Sequence, residues 1–95
     1  MKAKFIRHEK FPDVYNNTVE IKVWEVEATL DKPHGYKYSL VYIVKGRRVI
    51  GYDNAERKGD HRHYGDRTEP YRFESLQKLV ENFYSDVQRY REEKL

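Results

Sequence analysis

The sequence predicts an α+β fold: a single small domain with an antiparallel sheet of four or five strands and a C-terminal amphipathic helix packed on one face. Three observations predict it. The chain has 95 residues, too few to fill a second core, so residues 1–95 are read as one domain. Up to about Asp53, β-branched and aromatic side chains dominate short runs, the composition of strands. From Ser75 onward, apolar residues recur at helical spacing instead.

The stretch FIRHEKFPDVYNN reads as a first strand ending at Pro12 or in a turn at Asn16 and Asn17. In TVEIKVWEVEA, Val19, Ile21 and Val23 share one parity, and Trp24, Val26 and Ala28 the other. That slip predicts a bulge near Val23 or a strand covered on both faces, with Trp24 in the core. LDKPHGY is a loop. In YKYSLVYIVKGRRVIGYD, Lys45 and Gly46 separate two apolar runs, a hairpin signal if the glycine takes positive φ. A two-residue turn there sets Val44 opposite Arg47, Val41 opposite Ile50 and Tyr38 opposite Asp53. Alternation then puts Val41, Ile43, Ile50 and Tyr52 on the face that receives the helix, and Tyr36, Tyr38, Leu40, Tyr42 and Val49 on the other. The face carrying Tyr36, Tyr38, Leu40 and Tyr42 is read either as a second core layer beneath the N-terminal segment or as a partner-binding surface, since tyrosine-rich patches anchor interfaces.

Beyond Asp53 the chain leaves the sheet, returns in a short extended piece at HRHY, and turns through GDRTEP toward the helix. In that helix Leu76, Leu79, Val80, Phe83, Tyr84, Val87 and Tyr90 form the apolar stripe. Gln77, Lys78, Glu81, Asn82, Asp86, Gln88 and Arg89 fill the solvated face, and Ser75 is the N-cap.

Hydrophobic residues at 38% suffice for one core, while charged residues at 37% and a mean hydropathy of −1.05 imply a heavily solvated exterior. No apolar run approaches a membrane span, and MKAKFIRHEK has no uninterrupted apolar region of the signal-peptide kind. A cytoplasmic location without membrane contact is the expectation. With no cysteine there are no disulfides or thiolates, so any metal would be held by His, Asp or Glu. The net charge is +3, and seven bases against four acids between Lys45 and Arg67 account for all of it. Such a local excess attracts phosphate.

The basic segment also contains His61-Arg62-His63. In an extended segment residues two apart share a face, so the two imidazoles point together and Arg62 points away. One histidine can then serve as general base and the other as general acid on an RNA 2′-hydroxyl and its leaving oxygen, with Lys58 or Arg62 stabilising the phosphorane. The same pair can ligate a metal with Asp53 or Asp60. No complete ligand set assembles from sequence alone, so neither metal nor other cofactor is expected. The predicted catalytic set is His61, His63, Lys58, Arg62 and the stacking ring of Tyr64. Arg47, Arg48, Arg57, Lys58 and Arg62 are predicted to contact nucleic acid, with Asp53, Asn54 and Asp60 as polar support. His8 and His34, isolated in the sequence, are read as solvated or structural. The reading is a ribonuclease-like, metal-independent enzyme. Its rivals are a non-catalytic module that docks a basic loop on nucleic acid or protein, and a metal-dependent nuclease.

YKYSLVYIVKGRRVIGYDNAERKGDHRHYGD, followed by PYRFESLQKLVENFYSDV, resembles the TumE family of toxins from type II toxin-antitoxin pairs. The resemblance runs from about Val19 to Tyr90. Its most specific piece is the order of Asp53, Asn54, Lys58, Gly59, His61, Arg62, His63 and Tyr64. The resemblance implies a growth-inhibiting cytoplasmic toxin, neutralised by a cognate antitoxin protein, with RNA or the ribosome as target. Edge strands in so small a sheet would also allow a homodimer.

Overall fold

The computed structural model describes residues 3–55 and 58–95. Six strands form one antiparallel sheet in chain order: β1 (Lys4–Pro12), β2 (Thr18–Glu25), β3 (Tyr36–Val44), β4 (Arg47–Asp53), β5 (His61–Tyr64) and β6 (Arg67–Pro70). Helix α1 (Leu76–Lys94) packs on one face, against β3 and β4. The fold class is the predicted one, with more strands than the expected four or five. The addition is Arg67–Pro70, read from sequence as part of a turn; Gly65, at φ 60, lets the chain reverse tightly so that Tyr64 pairs with Arg67.

Local chemistry explains each reversal. At the β1–β2 turn, Asp13 Oδ1 accepts the backbone N–H groups of Tyr15 and Asn17, both at 2.9 Å, and Asn16 takes the left-handed conformation at φ 62. Lys45 and Gly46, at φ 52 and 76, form the expected two-residue β3–β4 turn, and Val44 pairs with Arg47. The expected slip in β2 is absent, because Val19, Ile21 and Val23 are buried in clean alternation; the irregularity lies in the partner strand, between Phe5 and Arg7. Trp24 is half-buried on the face away from the helix, against Phe5, and not in the core. Ser75 caps α1 by accepting the Lys78 N–H at 3.0 Å.

The two faces of the sheet are the reverse of the expectation in β3. Tyr38, Leu40 and Tyr42 are buried with Ile50, Tyr52, Leu79, Phe83 and Val87, whereas Val41 and Ile43 lie half-buried on the opposite face. A bulge between Tyr42 and Ile43 shifts the hairpin by one residue, so Tyr42 pairs with Ile50, Val41 with Gly51 and Ser39 with Asp53. The predicted partner surface therefore does not exist as a surface: Tyr38, Leu40 and Tyr42 are 2%, 0% and 0% exposed, and Tyr36 packs against their cluster.

Tyrosine suits this position because the ring buries apolar area while the hydroxyl reaches a polar partner at the edge of the core. Each of three core tyrosines finds an aspartate: Tyr38 donates to Asp60 at 3.0 Å, Tyr52 to Asp86 at 2.6 Å, and Tyr42 to Asp13. Asp13 also accepts from Arg91 at 2.8 Å, which fastens the first turn to the end of the helix. Burial alone would raise the Asp13 pKa, but the hydrogen bonds from Tyr42, Arg91 and two backbone amides outweigh it and hold the group below its ordinary value. The folded state thus binds the Asp13 proton more weakly than the unfolded chain. Its stabilisation is complete at neutral pH and is lost as pH falls below about 4. Asp13→Asn should flatten the fall in thermal midpoint between pH 5 and 3 relative to the wild type; equal slopes in scanning calorimetry would refute this.

Candidate functional site

Register places the site residues on the face away from α1. Asp53 pairs with His61 and Gly51 with His63, so one carboxylate and two imidazoles share that face, on the adjacent strands β4 and β5. His61 Nε2 lies 2.7 Å from Asp53 Oδ1, and His63 Nε2 lies 3.3 Å from Asp53 Oδ2. The two rings are 4.9 Å apart, edge to face. This is the side-by-side arrangement expected from H-x-H spacing.

The far side of each ring is held by the protein. His61 Nδ1 faces the Gly59 carbonyl at 3.0 Å, so that nitrogen carries the proton. His63 Nδ1 meets Thr68 Oγ1 at 3.1 Å. His63 is 9% exposed, and its Nε2 is buried without a hydrogen-bond partner, the contact with Asp53 being too poorly aligned to make one. Burial, and after it the neighbouring Arg48 guanidinium, pushes the His63 pKa down against the opposing pull of Asp53. The balance favours the neutral form of that imidazole.

Gly51 makes the approach of these groups feasible. A Cβ at that position would lie 2.9 Å from Arg48 Cδ and 3.4 Å from His63 Cδ2. Arg48 itself reaches to 3.8 Å from Asp53 Oδ2 and is 44% exposed, at the rim of the cluster. The same face carries Lys10, Lys22, Lys37 and Arg48 against Glu20 and Asp53, together with the Trp24 ring. No described helix or strand covers it.

The remaining predicted residues scatter. Arg62 points to the other face, as expected from alternation, and is occupied there: its Nε donates to Asp86 at 2.6 Å and to Tyr52 at 3.1 Å, and its Nη1 pairs with Glu69. It cannot stabilise a phosphorane beside the histidines. Tyr64 is also on the helix side, donating to Glu93 at 2.7 Å with Arg89 over its ring, so it offers no stacking surface to a substrate at His61. Arg47 lines a separate cleft of about 610 Å³ at the end of the helix, with Arg67, Arg89 and Lys94. Lys58 is exposed in the loop before Gly59, and Arg57 lies outside the described residues. Among the described residues, Arg48 is the predicted nucleic-acid contact that adjoins the histidines.

Asn54 and Asp60 both have polar partners within the fold. Asn54, fully buried, continues the β4 ladder with its side chain: Oδ1 accepts the Tyr38 N–H at 3.0 Å and Nδ2 donates to the Tyr36 carbonyl at 2.7 Å. Asp60 accepts from Tyr38 and contacts His34 Nε2 at 2.8 Å, which anchors the loop just before His61 and gives His34 its structural role. Asn54→Ala would orphan two backbone groups at about 1–3 kcal/mol each. We expect a loss of about 2 kcal/mol, or roughly 8–16 °C in thermal midpoint, in melts followed by circular dichroism; an unchanged midpoint would contradict the ladder role.

Sequence reasoning missed Gly51, Thr68, Lys22 and Lys37. The polar parity of β2, Thr18-Glu20-Lys22-Trp24, was the signal that this face is solvated.

A family model described as Toxin TumE matches residues 3–91. The chain belongs to the TumE toxin family. No curated protein and no solved structure matches it. Membership in the TumE family implies a cognate antitoxin. The residues that carried the resemblance, Asp53, Asn54, Lys58, Gly59 and His61–Tyr64, divide between the sheet's two faces and the segment between β4 and β5. No described helix of this TumE chain is long and apolar enough to cross a membrane.

Proposed function

We propose that this TumE toxin acts on RNA, held by its phosphates across the open face of the sheet and cleaved at Asp53, His61 and His63. One observation carries the reading: the convergent carboxylate and imidazoles sit on an uncovered face whose lysines and Arg48 outnumber its acids. Arg48 is the phosphate contact nearest the reacting groups.

The geometry favours a joint centre over two imidazoles working alone from opposite sides of a phosphate. Both Nε2 atoms aim at one carboxylate, and neither Nδ1 is free to face a substrate. The cytoplasmic setting, the ribosome as an organiser of the substrate and a homodimer through the edge strands belong to the same reading. The antitoxin must act elsewhere than on Tyr38, Leu40 and Tyr42.

The test has two arms. Expression of the chain should arrest growth, and co-expression of the neighbouring gene should relieve it. Transcripts isolated during arrest should be cleaved. Intact transcripts in a stable complex with the protein would replace the nuclease with a binding module on the same face.

A further inference from the structure

We propose that Asp53, His61 and His63 form a binding site for a divalent first-row transition ion of the zinc class, with at least one coordination position left open.

One donor atom from each of the three residues lies within 4.8 Å of the other two. Donors around a tetrahedral ion with bonds of about 2.0–2.2 Å sit roughly 3.3–3.6 Å apart, so closing the cluster asks only for side-chain torsion. Both histidines direct Nε2 inward, and each has its outer nitrogen against an oxygen of the protein, Gly59 O for His61 and Thr68 Oγ1 for His63. Orienting contacts of this kind are the usual support for ligating histidines.

A proton is the simpler occupant, and the geometry speaks against it as sufficient. Because His61 Nδ1 must donate to a carbonyl, its Nε2 presents a lone pair to the Asp53 carboxylate at 2.7 Å, and something positive belongs between them. A proton there satisfies His61 and Asp53. It leaves His63 Nε2 buried and unpartnered, at a cost of about 1–3 kcal/mol. A divalent ion serves all three donors at once.

Two imidazoles and one carboxylate suit zinc, manganese, iron or cobalt, and not the all-oxygen preference of calcium or magnesium. Three protein ligands leave room for water or a phosphate oxygen. Arg48 at the rim, 3.8 Å from Asp53 Oδ2, competes for the carboxylate when no anion is present and flanks an anion bound to the ion.

The test uses the full chain, freed of any affinity tag, stripped with a chelator and titrated with cobalt(II) and then zinc. We expect one equivalent of cobalt per chain, visible as d–d absorption that zinc displaces, and a thermal midpoint that rises with the ion. His63→Gln and Asp53→Asn should each weaken binding at least 100-fold. Thr68→Val should weaken it about 10-fold or more, and His8→Ala should leave it unchanged. Asp53→Asn, on a partly exposed residue, keeps the test decisive if His63→Gln fails to fold. Substoichiometric binding by the wild type, or affinity that survives Asp53→Asn, would overturn the site. Binding is read without RNA. A chain that takes up the ion but leaves transcripts intact removes the nuclease and keeps the metal; a chain that takes up no ion but cleaves transcripts does the reverse.

Discussion

His61→Ala combined with His63→Ala will abolish growth arrest while lowering the thermal midpoint by less than about 8 °C. The functional loss follows from where the rings sit. Together with Asp53 they are the convergent chemical groups on the open face, and removing positioned acid, base or ligand groups costs a factor of 10² or more in rate. The small stability cost follows from what the rings do for the fold. His63 carries an unsatisfied buried nitrogen, which returns free energy when removed, and Asp53 retains Arg48 at 3.8 Å. A net change near 1 kcal/mol corresponds to roughly 4–8 °C for a chain this size. Growth in liquid culture, paired with melts of the purified variant, reads both quantities. Continued arrest by the folded double variant would remove the site.

Arg62→Leu should do the opposite in kind. Its guanidinium bonds Asp86, Tyr52 and Glu69 at once, and the Arg62 and Asp86 side chains are 18% and 12% exposed. Replacing it strands the Asp86 carboxylate beneath the helix with only the Tyr52 hydroxyl. Breaking such a pair from one side costs about 3–5 kcal/mol. That is a large share of the stability of a small domain, so the variant should unfold at roughly half the urea concentration the wild type withstands. Arg62→Leu combined with Asp86→Leu should recover much of the loss, since no buried charge is then left unpaired and Glu69, which also loses Arg62, is partly exposed to solvent. Equal destabilisation by the single and double variants would show that Arg62 acts through packing and not through Asp86. Its position in HRHY invites a catalytic reading, and its contacts make it a clamp between β5 and α1.

The difference between these residues marks what could be read along the chain. Alternation within HRHY predicted that His61 and His63 share a face and that Arg62 opposes them, because side-chain direction in a strand is a property of the backbone. Alternation could not say which face was open. In β3 both parities are apolar, Tyr38-Leu40-Tyr42 against Val41-Ile43, so hydrophobicity alone does not choose between them. The choice goes with the Tyr38 and Tyr42 hydroxyls, which meet Asp60 and Asp13, residues 22 and 29 positions away. Asp86 was placed on the solvated face of the helix for the same reason: its partners, Tyr52 and Arg62, are distant in sequence. The single-residue shift of the β3–β4 hairpin was equally hidden, since a bulge moves every pairing beyond it without altering composition.

Order, type and turn chemistry of the elements are therefore local facts, carried by hydrophobic period, by Ser75, and by Asn16, Lys45 and Gly46 at their reversals. Whether a residue meets substrate or supports the helix is a long-range fact. Asp53 joins His61 and His63 only because β4 pairs with β5 in one register, and Gly51 beneath them leaves the space. Hydrogen-bond pairing between strands couples positions that no period along the chain relates, and so the site exists only once the sheet has closed.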